Sequence, residues 1–349
     1  MIDWVTCRLP CLLPAPIAGG WTVKLNQDGS ERSRTPHRLS IEGSHSSSLT
    51  IRAPSRTELE ISGNVAKWLQ GHNLYGSDDL QALLWATLQR LEPHLGGDLA
   101  SIGFASPAAL SDGILTRVDC TEMLQLQSPA DVLSWIRSAY ATGSASRRGR
   151  GVMREGTLIF GDAQGKSFTR WQIVIYAKGQ EIEAHPLPAP MKDDAEVTQW
   201  TKRCLRVEVR FGRLELQKLD LRNVGQWTSA AAGVLWSDKL GTLAFNDVAK
   251  SDSVELVNLP SKLRGTFAQW KLGADLRQTM TKATFYKHRA DILRLTGVDV
   301  AVPPAAKTTA TVVPIKRTLE ARPVSRPAWA DRIDAQLREA GAVIIGSAA

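Results

Sequence analysis

A chain of 349 residues, 43% hydrophobic and 22% charged, has an ordinary globular composition and can bury a sizeable core in one large domain or two of usual size. Its net charge of +8 and pI near 9.4 favour polyanionic partners. No apolar run approaches the roughly 18 residues needed to cross a bilayer, and the four cysteines form no CxxC pair, which argues against a zinc site or a disulfide framework. The expectation is a cytoplasmic protein without membrane contact.

The opening stretch, MIDWVTCRLPCLLPAPIAGG, carries Asp3 and Arg8 and is broken by Pro10, Pro14 and Pro16. It reads as a strand over Ile2–Leu9 and a Pro-rich turn, not as a secretory leader. The short alternating segments WTVKLN, RLSIEG and SLTIRAP predict a β-rich region up to residue 60. A short helix is expected over Val65–Leu69. A stronger one follows over Asp78–Leu91, with Leu80, Leu83, Leu84, Leu88 and Leu91 at helical spacing and Ser77 as N-cap.

Ile114–Leu126 reads as a strand, and Ser128–Thr142 as a helix capped by Ser128 with Pro129 at its first position. Thr157–Phe160 and Phe168–Ala177 read as a hairpin around GDAQGKS, and Glu196–Arg203 as a helix running into a strand at Leu205–Phe211. The order β-α-β-β-α-β predicts an α+β fold whose antiparallel sheet has a split βαβ arrangement. Residues 228 to 298 read as mostly helical, Val302 to Arg326 as a Pro/Ala/Thr/Lys linker, and Trp329–Ala340 as a last short helix. The implied division is an N-terminal domain at 1–225, a helical region at 226–300, a linker at 301–328 and a terminal helix and tail at 329–349.

Three strands alternate polar and apolar residues: Arg117, Asp119 and Thr121; Arg170, Gln172 and Tyr176; Arg206, Glu208 and Arg210. A sheet with one solvated face would give the same alternation. The groups themselves suggest phosphodiester chemistry. Asp119 and Glu208 are hard oxygen ligands of the kind Mg²⁺ or Mn²⁺ takes. Tyr176 is the first candidate for a nucleophile, with Lys178 two residues on, and Arg117 and Arg170 are candidates for holding phosphate.

Tyr286, in TFYKHRADIL beside Lys287, His288 and Arg289, is the reserve nucleophile; the basic-aromatic cluster, with Lys287 and Arg289, reads as DNA contact or helix surface. Arg206 and Arg210 are further candidate DNA contacts, as are Arg147, Arg148 and Arg150 in the SRRGRG run, for which a solvated linker is the equal alternative. A His-hydrophobic-His metal pair is absent. His72 and His185 are the histidines of interest; one of Glu181, Glu183 and His185 is the candidate third metal ligand, His185 first, with a structural or exposed His185 as the alternative.

The block ELEISGNVAKWLQGHNLYGSDDL at residues 58–80 resembles the N-terminal part of the gene II family, the replication initiators of filamentous bacteriophages. The resemblance continues in order through MIDWVTCRLP, LTRVDCTEML, TLIFG with IVIYAKGQEIEAH, LRVEVRFGRLELQKLDL and TFYKHRADILRLTGVDV, over roughly residues 1 to 300. It implies an enzyme that nicks one strand of the double-stranded replicative form at its origin. A tyrosine would attack the phosphodiester with metal assistance, leaving a 5′-phosphotyrosyl link and a free 3′-OH; a second transfer would close the single-stranded circle. It also implies work beside the host helicase, polymerase and single-strand binding protein in the host cytoplasm. The competing expectation is a non-catalytic basic origin-DNA- or RNA-binding protein, in which the RVD and RVE strands are self-neutralising surface pairs.

Overall fold

The computed structural model describes residues 1–145, 148–162, 168–245, 256–302, 304 and 326–345. Along the described chain the strands are β1 (Ile2–Pro10), β2 (Trp21–Leu25), β3 (Glu31–Pro36), β4 (Leu39–Glu42), β5 (Ser48–Arg52), β6 (Glu58–Asn64), β7 (Ile114–Gln125), β8 (Gly143–Ala145), β9 (Gly149–Arg150), β10 (Val152–Arg154), β11 (Thr157–Gly161), β12 (Trp171–Ala177), β13 (Cys204–Gly212) and β14 (Leu243–Phe245). Nine of them form one antiparallel sheet in the order β10-β11-β12-β13-β7-β1-β6-β5-β4. β14, β8 and β9 make a small second sheet, and β2 and β3 a separate hairpin.

The α+β class and the large antiparallel sheet match the sequence expectation. β13 pairs antiparallel with β7 on one side and with β12 on the other. β7 and β12, whose connection contains helix Pro129–Thr142, therefore run parallel with β13 inserted between them, which is the split. The sheet also extends further than the β-α-β-β-α-β segment alone: β1 pairs with the free edge of β7 and brings β6, β5 and β4 with it. A pattern of element types does not encode that distant pairing.

Alternation along these strands separates two faces. Val207, Val209, Phe211, Ile173, Ile175, Val118, Cys120, Val5 and Cys7 are buried on one side, in a core shared with helices Leu80–Leu91, Pro129–Thr142 and Ala231–Leu240. Trp236 anchors the last of these by donating from Nε1 to the Val207 carbonyl at 3.0 Å. This core includes Ala232, Leu235, Trp236 and Leu240, past residue 225, and Leu243, Phe245 and Ile345 pack against it.

Local signals explain the flanking helices. Val65–Gln70 starts at Asn64, whose side chain accepts from the Lys67 amide, and ends at Gly71. Gly71 has φ of 85°, a left-handed conformation that favours glycine. Ser128 accepts from the Asp131 amide as expected. Asp79, not Ser77, caps Leu80–Leu91; the Ser77 hydroxyl instead accepts from the Asp79 amide. The helix expected at Glu196–Arg203 is found at Ala195–Lys202.

One end of the other sheet face is covered by a second core. Leu74, Tyr75, Met123, Val197, Trp200 and Cys204 pack there with Trp329, Ile333 and Leu337 of the last helix, Ala330–Glu339, and its N-cap. Each such buried side chain contributes about 1.5–3 kcal/mol. The tail after the linker is thus packed against the sheet domain; residues 305–325 lie outside the described residues. A third core, around Leu263, Phe267, Trp270, Phe285 and Ile292, holds together helices Ser261–Lys271, Leu276–Thr279 and Lys282–Thr296. The helical region expected before residue 300 is therefore present. Among the described residues no helix is long and apolar enough to cross a membrane.

Candidate active site

Register brings the chemistry-bearing residues together on the second face. Tyr176 lies opposite Arg206 and Arg206 opposite Met123; Val174, Glu208 and Thr121 form the next row; Gln172, Arg210 and Asp119 the one after. Directly opposed residues of an antiparallel pair share a face. Arg117 continues the row set, opposite Thr6 of β1.

At the centre Tyr176 donates from Oη to Glu208 Oε1 at 2.7 Å. The same oxygen accepts from Arg206 Nε at 3.0 Å, while Arg210 donates from Nε and Nη2 to Oε2 at 3.1 and 2.7 Å. Arg117 grips Asp119 with two bonds of 2.8 and 2.5 Å. Its guanidinium stacks over Trp4 at 4.5 Å and Phe168 at 5.3 Å. Arg210 Nε also lies 3.6 Å from Asp119 Oδ2, linking the two acids through one cation.

Burial sets the electrostatics. Tyr176 titrates well above the ordinary phenol range, because burial and the Glu208 charge outweigh the help of Arg206, so the phenol is protonated at rest. Burial would raise Glu208 too, but Arg210 and Arg206 hold it below the usual carboxylate range. Asp119 is shifted up, since burial exceeds the stabilisation by Arg117.

Lys178 is close but not on the strand face expected for it. The strand ends at Ala177 and Lys178 begins helix Lys178–Ala184. Its Nζ is buried, bonded to Asn73 Oδ1 at 2.9 Å and to Glu181 Oε2 at 2.5 Å. Burial, with Arg206 nearby, lowers its pKa to about 8.

Several expected roles change. Arg206 is fully buried, hydrogen-bonded to Glu208 and to the Asn73 carbonyl and ion-paired with Asp3 at 2.8 Å, so it braces the neighbouring acids and cannot reach DNA. Arg170 precedes β12, is exposed, and bonds through its backbone amide to Asp162 at 3.1 Å, outside this network. His185 is exposed at the end of helix Lys178–Ala184. His72 is buried, its pKa lowered to about 3 by burial with contributions from Lys178 and Arg326.

Among the basic candidates, Arg148 pairs with Asp162 at 2.5 Å, Arg150 is partly exposed in β9, and Arg147 lies outside the described residues. Arg289 is held by Asp299 at 2.7 and 2.6 Å. Lys287 and Tyr286 are exposed, on helix Lys282–Thr296 of the helical unit.

Asp3, Asn73 and Asn64 belong to this network without being marked as site residues by the sequence pattern. Asn64 donates to Asp3 at 2.7 Å, fixing the acid that receives Arg206. An acid inside the otherwise apolar MIDWV strand was the available signal for Asp3. Asn73 and Asn64 were visible only as polar residues in the turn-rich block at 58–80.

The donor set does not fit a resident metal centre as arranged. All four carboxylate oxygens of Asp119 and Glu208 accept from guanidiniums, and Oε1 from the phenol as well. Among the described residues no group of three or more His, Cys, Asp or Glu side chains is placed to hold an ion. What the arrangement can do is present a half-buried phenol, already bonded to a carboxylate, beside two guanidiniums about one-quarter exposed.

Residues 1–230 match the family model for the N-terminal part of the replication-associated gene II protein, and residues 252–332 the model for its C-terminal part. The chain is 33% identical over 343 residues to the replication-associated gene II protein of Enterobacteria phage I2-2, covering 95% of this chain and 97% of that protein. No solved structure matches it significantly. The first model takes in the whole polar face from Asp3 to Arg210, and together these matches establish that the chain belongs to the gene II family of phage replication-associated proteins.

Proposed function

We propose that the protein initiates rolling-circle replication by nicking and rejoining one strand of phage replicative-form DNA, with Tyr176 as the nucleophile. The observation that carries this reading is the 2.7 Å bond from Tyr176 to Glu208 on a face flanked by Arg117 and Arg210. A phenol is weakly nucleophilic while protonated, and an adjacent base activates it.

In the proposed step the Tyr176 oxygen attacks phosphorus and its proton passes to Glu208 along the existing hydrogen bond. The P–O3′ bond breaks as the P–O(Tyr) bond forms. The departing 3′ oxygen takes a proton from solvent, leaving a 5′-phosphotyrosyl link and a 3′-OH from which a host polymerase can extend. Arg210 and Arg117 are the guanidiniums available to the phosphate oxygens, where a planar cation meets developing negative charge well. Rejoining is the reverse transfer to a 3′-OH. The protein link conserves the phosphodiester energy, so closure requires no ATP. In this reading host helicase and single-strand binding protein act on the displaced strand, and the protein works in the host cytoplasm.

The test is incubation with supercoiled DNA carrying the phage origin, with Mg²⁺ and with chelator. Open circles bearing covalently bound protein support the reading. Retarded but intact supercoils under every condition would instead assign a non-catalytic origin-binding protein.

A further inference from the structure

Hairpin β2–β3 stands apart from the nine-stranded sheet. Every residue from Trp21 to Thr35 is exposed, and Trp21, Val23 and Leu25 are 47%, 41% and 60% exposed. Register places Trp21, Val23 and Arg34 on one face, and Thr22, Lys24, Ser33 and Thr35 on the other. A lone two-stranded hairpin is marginal in water and buries no core. Such a ribbon, with exposed Trp21 and Val23 beside Arg34 on one face and small polar donors on the other, is built for a partner.

Its anchorage ties it to the catalytic face. The Arg52 guanidinium lies over the Trp21 ring at 4.6 Å, and Arg34 at 5.8 Å. Arg52 sits opposite Glu60, and Glu60 opposite Arg8, which shares the face of Thr6 and Arg117. Arg38, just past the hairpin, pairs with Glu60 at 2.6 Å. The hairpin therefore rises from the far edge of the same polar face that holds Tyr176. From β12 to β5 there are five strand-to-strand steps. At about 4.8 Å each this is roughly 24 Å, or about 7 base pairs of duplex at about 3.4 Å per pair.

Charge and shape select the occupant. Lys24 and Arg32 form no ion pair among the described residues, so both are free to meet a polyanion. A two-stranded ribbon fits the major groove, about 12 Å wide. Thr, Ser and Lys side chains supply hydroxyl and ammonium donors for phosphates and base edges, and threonine methyls suit the thymine methyl.

We propose that β2–β3 is a duplex-DNA-binding ribbon that engages the origin on one flank, about 7 base pairs or more from the phosphate that Tyr176 attacks, with the Thr22/Lys24/Ser33/Thr35 face toward the groove. This rests on the nicking reading only for the position of the attacked phosphate. No other element of the described chain offers an exposed strand pair of this kind on that face.

The test is hydroxyl-radical footprinting of the full chain on origin duplex, in a Tyr176→Phe background that prevents cleavage, with and without Lys24→Ser plus Arg32→Ser. These exposed substitutions touch no core. The expected result is loss of protection confined to one flank, with the log-log salt slope of binding shallower by about 1.8 for two lost contacts. Nicking of a single-stranded origin oligonucleotide by the Lys24→Ser, Arg32→Ser chain with Tyr176 intact should be retained. An unchanged footprint would overturn the proposal. So would an unchanged footprint accompanied by altered sedimentation, which would give the Trp21/Val23 face to a second copy of the chain. If the Tyr176 chain nicks nothing while the flank protection still depends on Lys24 and Arg32, the nicking reading fails and the ribbon stands.

Discussion

The centre of the polar face and the basic elements around it use arginine in opposite ways. At the centre Arg206, Arg210 and Arg117 are locked onto Asp3, Glu208 and Asp119, and the acids are almost fully buried. At the periphery Lys24 and Arg32 are exposed and unpaired among the described residues, and Arg150 is partly exposed. Buried charge is expensive unless paired and hydrogen-bonded, so the centre is stiff and its geometry is what it offers. Exposed cations lose little on meeting phosphate beyond their counterions and offer affinity. Central substitutions should therefore alter rate or stability, whereas peripheral ones should alter binding and its salt dependence.

The largest effect belongs to the proposed nucleophile. Tyr176→Phe removes the oxygen proposed to attack and should leave no detectable covalent product, while duplex retardation persists in a gel-shift assay. Nicking at the wild-type rate by this variant would move the chemistry to Tyr286 or elsewhere.

Glu208→Gln and Asp119→Asn keep shape and remove charge. Each should slow nicking on the order of 10²-fold, the scale for losing one strong transition-state stabiliser, read in single-turnover assays. If Asp119→Asn behaves like wild type, the Arg117–Asp119 pair belongs to the scaffold alone.

Arg206→Met distinguishes positioning from DNA contact. It strands Asp3 and Glu208 without their buried partner, so unfolding free energy should fall by about 3–5 kcal/mol, measured by urea denaturation. A variant that stays fully stable but binds DNA weakly would return Arg206 to the DNA interface.

His72 gives a pH signature. Its folded pKa of about 3 lies below the ordinary 6.5, so the unfolded chain binds the extra proton between those values. Stability should therefore fall as pH drops below about 6.5, by about 2 kcal/mol at pH 5 from this group. His72→Gln should flatten that limb between about pH 6.5 and 5. An unaltered limb would mean His72 is not buried in solution.

The smallest effect is peripheral. Neutralising Arg150 should make the salt slope shallower by about 0.9. Arg148, already held by Asp162, should give less. Equal effects from both would show that the Asp162 pair opens on DNA.

How much of this was legible in the sequence follows the same divide. Period-2 alternation grouped Arg117 with Asp119, Gln172 with Tyr176, and Arg206 with Glu208 and Arg210, each within its own strand, because side-chain direction along a strand is a local property; strand register puts the three groups on one face. Which strand neighbours which is not local. The order of elements suggested the split that places β13 between β7 and β12, but nothing in it showed that β1 would join β7 and bring Asp3 to Arg206. Burial was also invisible. Arg206 and Arg210 have the same sequence context, yet only the first lies beneath the 70–76 turn, where Asn73 receives it. Lys178 was misplaced because nothing in YAKGQEIE marks where the strand gives way to the helix. Hairpin β2–β3 lies within the β-rich region that the sequence predicts; its detachment shows only once the other strands have paired among themselves.

The most direct test of the central claim is to trap the protein on origin-bearing supercoiled DNA, digest protein and DNA, and locate the nucleotide-bearing peptide by mass spectrometry. With Tyr176 as the nucleophile, a nucleotide 5′-phosphate should be found on that residue, within the tryptic peptide that ends at Lys178. A nucleotide on Tyr286, Tyr75 or Tyr140, or no covalent adduct despite nicked DNA, would contradict it.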